Sequence, residues 1–393
     1  MKPLAHQEKF VQGYDGKRLI VWEGGTGKTI AGCLWLRDGR DADALVICPK
    51  KVVKKWQKAL SDWGTKATVL SKENFKKQEY KSWSGVVVDE ADEFASPLFT
   101  KGRSKLTECL YNLVRLFRPQ VLLLTATPIR SNPWNLHTLL TFVGKYVDWK
   151  EWRERFFKLE RRPYLPRPAW LPRANWRKLM RPLLEEHGDI VLLKDCVKDV
   201  PAVYEERVAT PYKEKFVPED WEGSKAFHAE HKHEQKEKLE HILEIGKEYR
   251  KVLVVVYYQE QIGELEKSLK KHRETFSIHG KVSTEKQEDI IAQAQESDEC
   301  FFIVQAGMGA GFDGDSFSCV VFASMSYAVR DFVQMKFRVR RIHNLHPVAF
   351  YYLIGGRCDE SVLDNVQKGF DFVPSEWKIS PSSQKSISDV KPK

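Results

Sequence analysis

Short runs that are apolar at every position recur along the chain in two blocks, separated by longer stretches with helical spacing of apolar residues. Such runs indicate strands covered on both faces, as in parallel sheets flanked by helices. The first block predicts strands over Arg18–Trp22, Ala44–Cys48, Ala67–Leu70, Gly85–Asp89 and Val121–Thr125. The second block predicts strands over Val252–Tyr257, Thr275–Ile278, Phe301–Val304, Val320–Ala323 and Ala349–Ile354. The pattern therefore predicts an α/β protein with two parallel-sheet lobes.

The region between the two blocks has a composition unlike either of them. Residues 149–182 contain eight Arg, four Trp and five Pro. We therefore divide the chain into a first lobe at residues 1–148, a small basic aromatic helical insert at 149–205 and a second lobe at 206–375. Ser, Lys and Pro are frequent in residues 376–393, which is typical of a disordered tail.

Composition and charge narrow the class of protein. The 393 residues are 42% hydrophobic and carry a formal net charge of +10. No apolar run approaches 18 residues, and the first residues lack the apolar core of a signal peptide, so we expect a cytoplasmic protein without a membrane partner. The positive charge suits a polyanionic partner but equally suits an ordinary basic protein.

A glycine-rich segment directly follows the first predicted strand and opens a helix. It reads Trp22-Glu23-Gly24-Gly25-Thr26-Gly27-Lys28-Thr29. Glycines let consecutive backbone N–H groups approach phosphates, Lys28 supplies a charge for the β- and γ-phosphates, and the Thr29 hydroxyl can ligate Mg²⁺. The usual GxxxxGKS/T pattern begins with Gly, and this chain departs from it by having Trp22 at that position. The segment predicts an ATP site that uses Mg²⁺.

Two further segments of the first block fit the same chemistry. The predicted strand Gly85–Asp89 delivers Asp89 and Glu90 to its carboxyl end, where ligands bind in open α/β sheets. Asp89 is predicted to hold Mg²⁺ and Glu90 to polarise the attacking water. Thr125-Ala126-Thr127 ends the next strand, and its hydroxyl groups can hydrogen-bond the carboxylates.

The second block contains a glutamine and two arginines at helical spacing, Gln334, Arg338 and Arg341. Arginines three residues apart lie on one helical face, and an arginine beside the developing charge on a γ-phosphate accelerates its transfer. Taken alone, such spacing describes a basic helix face. Its position in a second α/β block favours a catalytic role.

These motifs, in this order, resemble those of superfamily 2 helicases, and the segment Thr127–Pro133 is similar to the Swi/Snf-like branch, in compact prokaryotic or phage forms. The resemblance implies two RecA-like lobes and covers roughly residues 4–370. It implies that Gln7 recognises adenine and that Asp313 lies near the ribose or the catalytic site. It also implies that the arginines complete an ATP site built mainly on the other lobe.

The resemblance further implies contacts with DNA. Pro49, Lys50 and Lys51 resemble the family's first DNA-backbone motif, Arg130 lies in the Swi/Snf-like segment, and Gly307 and Gly309 lie in a segment similar to the fifth motif. Many relatives have an Arg where this chain has Gln287, so one phosphate contact of the family is not matched here.

The insert interleaves aromatic residues with arginine: Trp152, Arg153, Arg161, Arg162, Trp176 and Arg177. Arginine pairs with phosphates and aromatic faces stack on exposed bases, so these residues are candidate DNA contacts. Alternatively, the tryptophans form the core of a small subdomain that the arginines coat.

The sequence therefore predicts an ATP-dependent DNA translocase or helicase, expected to be monomeric in bacteria, archaea or phage-infected cells, with proteins of replication or recombination as further partners. Two alternatives stay open. One is an RNA helicase, because Asp89–Asp92 spells DEAD. The other is a DNA-binding ATPase subunit whose hydrolysis switches assembly of a complex.

Overall fold

The chain forms two compact units, which we describe separately. The computed structural model describes residues 2–12, 19–38, 43–99, 103–130, 132–145, 147–161, 167–196, 202–210, 235–308, 312–340 and 346–369. The first unit comprises Met1–Ala202, Gly309–Ser316 and Arg330–His346. The second comprises Val203–Met308, Phe317–Val329 and Pro347–Lys393. The predicted tail at 376–393 lies outside the described residues.

The first unit is built on a six-stranded parallel sheet with the order β3-β2-β4-β5-β1-β8. Its strands are β1 (Leu19–Trp22), β2 (Ala44–Cys48), β3 (Thr68–Ser71), β4 (Gly85–Asp89), β5 (Gln120–Thr125) and β8 (Gly188–Val191). Its helices up to the insert are α1 (Ala5–Gln12), α2 (Lys28–Arg37), α3 (Val53–Asp62), α4 (Lys72–Phe75), α5 (Lys105–Phe117) and α6 (Trp134–Phe142). Short 3-10 turns span Lys50–Val52 and Ala91–Phe94.

Buried tryptophans hold the first sheet to its helices. Trp22, Trp35 and Trp56 belong to one core cluster with strand residues such as Val46 and Leu124. Helix α2 approaches Trp56 so closely that a Cβ at Gly32 would lie 2.8 Å from the indole Cη2 atom. This close packing fixes the helix that follows the glycine-rich loop.

The insert combines helices with a two-stranded antiparallel sheet. Helix α7 (Trp149–Phe156) leads directly into β6 (Phe157–Glu160), which pairs with β7 (Ala169–Pro172). Helices α8 (Trp176–His187) and α9 (Leu193–Cys196) follow, on either side of β8. The sequence predicted a helical insert without strands, so the β-hairpin is a feature that was not predicted.

The second unit repeats the architecture with the strand order β11-β12-β10-β13-β14-β9, again parallel throughout. Its strands are β9 (Val203–Ala209), β10 (Lys251–Val256), β11 (Thr275–Ile278), β12 (Cys300–Gln305), β13 (Cys319–Phe322) and β14 (Val348–Ile354). The remaining helices among the described residues are α10 (Gln235–Glu248), α11 (Gln259–Leu269), α12 (Thr284–Glu296), α13 (Val329–Val339) and α14 (Arg357–Gln367).

The predicted class, two parallel-sheet α/β lobes, is confirmed. Residues Arg330–Val339, most of helix α13, belong to the first unit. No helix among the described residues is long and apolar enough to cross a bilayer.

Candidate functional site

The glycine-rich loop lies between β1 and α2, as the sequence predicts. Gly25 and Gly27 have φ values of 82° and 83°, in the left-handed region where an L side chain is strained. A Cβ at Gly24 would overlap the Phe337 side chain, and one at Gly27 would overlap the Gln7 amide. The three glycines are therefore required by backbone conformation or by close approach.

Trp22, the departure from the usual loop pattern, has a structural role. Its indole is buried and packs edge-on against His6, with ring centroids 4.9 Å apart. Its Nε1 donates a hydrogen bond to Asp189 Oδ2 at 2.7 Å. Asp189 lies in β8, the strand that pairs with β1. Trp22 thus ends the strand, and the loop glycines begin two residues later.

Glu23 ties the loop to the segment that follows the insert. Its backbone N–H donates to Val191 O at 3.0 Å, and its Oε2 accepts from the Leu193 N–H at 2.7 Å. Sequence reasoning assigned no role to Glu23. Its hydrogen bonds connect the glycine-rich loop with β8 and α9, over 160 residues away in the chain.

Gln7 lies beside the loop on α1 and is fully buried. Its Nε2 donates to Thr26 O at 3.4 Å and to Gly27 O at 3.3 Å, and its Oε1 accepts from the Leu4 N–H at 2.8 Å. The amide therefore braces the loop. The position is compatible with the adenine contact implied by the resemblance, which stays a prediction.

Lys28 and the carboxylates of β4 form one electrostatic cluster. Lys28 Nζ donates to Trp22 O at 2.7 Å and to Glu23 O at 3.1 Å. Burial lowers the pKa of Lys28, while the charges of Glu90 and Asp89 act in the opposite direction. Arg338 is close enough to lower this pKa further. The predicted phosphate-binding lysine, the two carboxylates and one predicted arginine are therefore brought together.

Asp89 is held by a partner that the sequence motifs did not reveal. Trp56 Nε1 donates to Asp89 Oδ2 at 2.8 Å, and the Glu90 N–H donates to Asp89 Oδ1 at 3.0 Å. Burial and the adjacent Glu90 charge raise the pKa of Asp89 to about 6. Glu90 itself has a φ of 53°, in the left-handed region that is rare for a residue with a side chain.

Asp92 links β5 to two arginines. Thr125 Oγ1 donates to Asp92 Oδ1 at 3.1 Å, which places the predicted hydroxyl-to-carboxylate bond on Asp92. Arg130 Nη1 lies 3.9 Å from Asp92 Oδ2. Burial and the Glu90 charge raise the pKa of Asp92 to about 7, although Arg330 and Arg130 oppose the rise.

Arg330 is a basic residue of the site that sequence reasoning missed. Its Nη1 lies 2.6 Å from Glu93 Oε1, and Glu93 also pairs with Lys72. Arg330 precedes Gln334 by four residues and Arg338 by eight, so the three share one face of α13. That spacing is the sequence signal from which Arg330 could have been found.

Gln334 and Arg338 lie on this helix as predicted. Arg338 Nη1 donates to Phe312 O at 3.2 Å, and Arg338 O accepts from the Gly314 N–H at 2.9 Å. Gln334 Nε2 is a buried donor that finds no acceptor among the described residues. A buried donor without an acceptor, on the same helix face as Arg338, is the kind of group that a bound ligand satisfies. Arg341 lies outside the described residues.

The donor set also fits Mg²⁺. Thr29 and Asp89 offer the oxygen ligands that this ion prefers, and clustered carboxylates with raised pKa values gain from a nearby cation. No group of three His, Cys, Asp or Glu side chains in the described part of the chain converges as a metal site. Mg²⁺ held mainly by nucleotide phosphates and waters does not need one.

The remaining candidate contacts are distributed over both units. Pro49, Lys50 and Lys51 form the turn after β2, with both lysines exposed. Asp313 is exposed in the first unit, and Gly307 has a φ of 84° after β12 in the second. Gly309 and Arg162 lie outside the described residues.

Within the insert, two of the predicted stacking residues are buried. Trp152 is 2% exposed and Trp176 is 5% exposed. The Trp152 ring lies 4.5 Å from that of Phe156 and 5.1 Å from that of His137, on α6. A ring enclosed in this way cannot stack on a base, so a stacking role for Trp152 and Trp176 is wrong. Arg153 and Arg177 are half-buried and Arg161 is exposed, so their DNA contacts stay predictions.

Comparison with known proteins agrees with this architecture. Residues 234–343 match the helicase conserved C-terminal domain. The structure of S. cerevisiae Dbp5 bound to RNA and ADP BeF3 is similar over 95% of this chain and 90% of that chain, with a TM-score of 0.56 and 14% identity. The Sulfolobus solfataricus SWI2/SNF2 ATPase core in complex with dsDNA matches over 94% of this chain and 91% of that chain, with a TM-score of 0.43 and 16% identity. None of the curated proteins compared with the sequence matches it.

The chain thus has two RecA-like lobes, a fold similar to that of Dbp5, and its residues 234–343 match the helicase conserved C-terminal domain. The predicted fold of two RecA-like lobes is confirmed.

Proposed function

We propose that the protein is a DNA-stimulated ATPase of the Swi/Snf-like branch that moves on, or remodels, duplex or branched DNA. The observation that carries the proposal is the single cluster of Lys28, Asp89, Glu90 and Arg338, whose charges act on one another. These are the groups that hydrolysis of a Mg²⁺-bound nucleoside triphosphate requires.

Each residue then has a defined task. Lys28 leaves its carbonyl partners to contact the β- and γ-phosphates, and the loop N–H groups bind the remaining oxygens. Thr29 and Asp89 hold Mg²⁺, which supplies charge neutralisation when bound. Glu90 orients the attacking water, while Arg338, with Arg341, stabilises charge that develops on the γ-phosphate. The buried Gln334 amide donates to the nucleotide or to the water.

Two features favour DNA over RNA. The segment after β5 reads Thr125-Ala126-Thr127, and the arginine motif has QxxxRxxR spacing. DEAD-box proteins usually have SAT and HRIGRxGR at these places. The net charge of +10 supports binding of a nucleic acid without choosing between the two.

An RNA helicase is the second candidate. The sequence Asp89–Asp92 spells DEAD, and Dbp5, whose fold is similar, is bound to RNA in its structure. A direct test compares steady-state ATPase rates with duplex DNA, single-stranded DNA and RNA at equal nucleotide concentration. We expect the largest stimulation with duplex or branched DNA. Stimulation by RNA alone would transfer the assignment to the RNA helicases.

Variants separate a motor from an assembly switch. Lys28→Ala and Arg338→Ala are expected to lower the DNA-stimulated ATPase rate by at least about 10³-fold. Both should abolish ATP-dependent strand rearrangement on fork, Holliday junction and D-loop substrates. Ordinary DNA remodelling by both variants would contradict the motor assignment.

A further inference from the structure

Three large apolar side chains on and beside the insert are exposed together. Phe99 is 48% exposed, Leu159 56% and Trp170 38%. Single exposed apolar residues are ordinary on a protein surface, but a contiguous group of them marks a binding site. All three lie in the first unit.

Phe99 and Trp170 are connected by ring and cation–π contacts through Trp149 and Arg153. The rings of Phe99 and Trp149 are stacked, with centroids 6.3 Å apart and an interplanar angle of 28°. The Arg153 guanidinium lies 4.9 Å from the Trp149 ring centroid and 4.3 Å from that of Trp170. Leu159 is directly opposite Trp170 in the β6–β7 ladder, so both side chains lie on one face of the hairpin. We refer to these five residues as the stacking surface.

The backbone beneath this surface is well supported. Asp148 caps α7 by accepting hydrogen bonds from the N–H groups of Lys150 at 2.8 Å and Glu151 at 3.1 Å. Arg173, just after β7, donates from its backbone N–H to Phe156 O at 2.8 Å. Its Nη2 also donates to Glu154 O at 3.0 Å. Helix and hairpin therefore hold the aromatic residues in place before any ligand arrives.

Arg153 carries a charge for which the described part of the chain offers no acidic partner. Among the described residues no carboxylate lies within ion-pair distance of it, and its buried Nε has no hydrogen-bond acceptor. Arginine usually satisfies several of its five N–H groups when it is partly buried. A guanidinium fixed between two indoles, with N–H groups to spare, is suited to an incoming phosphate.

The charge of the surroundings selects the ligand class. Residues 149–182 contain eleven Lys and Arg against three Glu. This excess accounts for most of the net charge of +10 of the whole chain. The ligand is thus expected to be anionic and to present a flat apolar face.

We propose that the stacking surface binds an unpaired base and its phosphate, and therefore a single-stranded part of the DNA substrate. Trp170 stacks on the base and Arg153 contacts the phosphate. Bases inside a duplex are already covered on both faces, so only unpaired or terminal bases are available. This inference rests on the proposed function and names its substrate class: tailed, forked or otherwise partly single-stranded DNA.

The test measures the affinity of the full chain for labelled oligonucleotides by fluorescence anisotropy. The probes are oligo-dT, a 3′-tailed duplex, a blunt duplex and oligo-rU. Trp170→Ala is expected to weaken binding of oligo-dT and the tailed duplex roughly 5- to 150-fold, the range for loss of one base–aromatic stack. Binding of the blunt duplex is expected to change less than about twofold. Trp170→Phe should retain most of the affinity and Trp170→Leu should not, because only the first keeps an aromatic face.

Arg153 gives an independent readout. Arg153→Gln is expected to reduce the slope of log affinity against log salt concentration for oligo-dT by about 0.7, as for loss of one phosphate contact. Tyr204→Ala removes a similarly exposed aromatic residue, 53% exposed, from the second unit and serves as the matched control. It should leave all four affinities and the salt slope unchanged.

Several results would overturn the inference. Equal loss of blunt-duplex and single-strand binding in Trp170→Ala would remove the preference for unpaired bases, and a loss confined to oligo-rU would exclude DNA. A change in the sedimentation of Trp170→Ala without DNA would show that a second copy of the chain covers the surface. Wild-type-like binding by Trp170→Ala, with intact DNA stimulation of the wild type, rejects the stacking surface alone. Absence of any DNA binding by the wild type rejects the proposed function itself.

Discussion

Replacing Asp92 by Asn is expected to stabilise the protein at neutral and alkaline pH. The side chain is 2% exposed, and its pKa rises from 3.8 to about 7 because burial and the Glu90 charge disfavour ionisation. A folded-state pKa above the unfolded value means that the ionised carboxylate opposes folding. The cost is nearly absent below pH 4, grows as the pH rises towards 7 and is complete above it.

The size of the effect follows from these values. At 1.36 kcal/mol per pH unit, the cost of the charge is about 4 kcal/mol at pH 8 and about 2 kcal/mol at pH 5. Asn retains an oxygen that can accept the Thr125 hydrogen bond, so the free energy of unfolding of Asp92→Asn should rise by about these amounts. The same variant should have a lower ATPase rate, because the charge that faces Arg130 and Arg330 is lost.

The assay is guanidinium-induced unfolding of the first unit at pH 5 and pH 8, followed by tryptophan fluorescence. Asp62→Asn, an exposed acid at the end of α3, is the control and should change the free energy of unfolding by less than about 0.5 kcal/mol. A loss of stability in Asp92→Asn at pH 8, or an equal gain at both pH values, would refute the charge-burial argument.

Three further variants test packing and positioning. Trp56→Phe keeps most of the ring volume but removes the hydrogen-bond donor to Asp89. We expect the free energy of unfolding to fall by about 2–4 kcal/mol and half-maximal ATPase activity to require a higher Mg²⁺ concentration. A wild-type Mg²⁺ dependence would contradict this expectation. Trp152→Ala should lower the free energy of unfolding by about 3–5 kcal/mol in thermal or chemical denaturation, whereas a loss of DNA affinity without a loss of stability would reject its core role. In the second unit, Asp359→Ala should lower the free energy of unfolding by about 3–5 kcal/mol, because it removes the carboxylate that lies 2.8 Å from Lys238 Nζ. The Lys238 side chain is only 3% exposed, so its charge would be left buried without this partner. The double variant Asp359→Leu with Lys238→Met should recover most of the lost free energy in the same unfolding assay.

Central strands could be predicted closely from the sequence, whereas the edge strands β8 and β9 could not. The predicted ranges Ala44–Cys48 and Gly85–Asp89 coincide with β2 and β4, because strands buried on both faces are apolar at every position. Strand β9 has the sequence VYEERVA and most of its residues are exposed. The charged residues Glu205, Glu206 and Arg207 interrupt the apolar pattern that identifies the others.

The local part of the candidate site was predictable because one short segment supplies it. The segment from Gly24 to Thr29 contributes glycines, lysine and hydroxyl in fixed order, and the structure places the glycines after β1 and Lys28 and Thr29 in the first turn of α2, as expected. Trp56 and Asp189 were missed because their partners are 33 and 167 residues away in the chain. Only the sheet order brings these pairs together.

The tryptophans of the insert show a different limit. Composition identified the segment but could not separate Trp152, which is buried, from Trp170, which is exposed. Helix α7 directs Trp152 towards α6, while the β6–β7 register places Trp170 beside Leu159 on an exposed face. The hairpin that decides this was itself not predicted, since its strands contain charged residues and Pro172.

The most direct test asks whether DNA drives ATP hydrolysis by this protein. Steady-state ATP hydrolysis is recorded for the wild type and for Lys28→Ala without nucleic acid and with blunt duplex, forked duplex, single-stranded DNA or RNA. We predict strong stimulation of the wild type by forked and duplex DNA, weaker stimulation by RNA, and none of the variant by any of them. A wild-type rate that no nucleic acid raises, or that only RNA raises, would contradict the account.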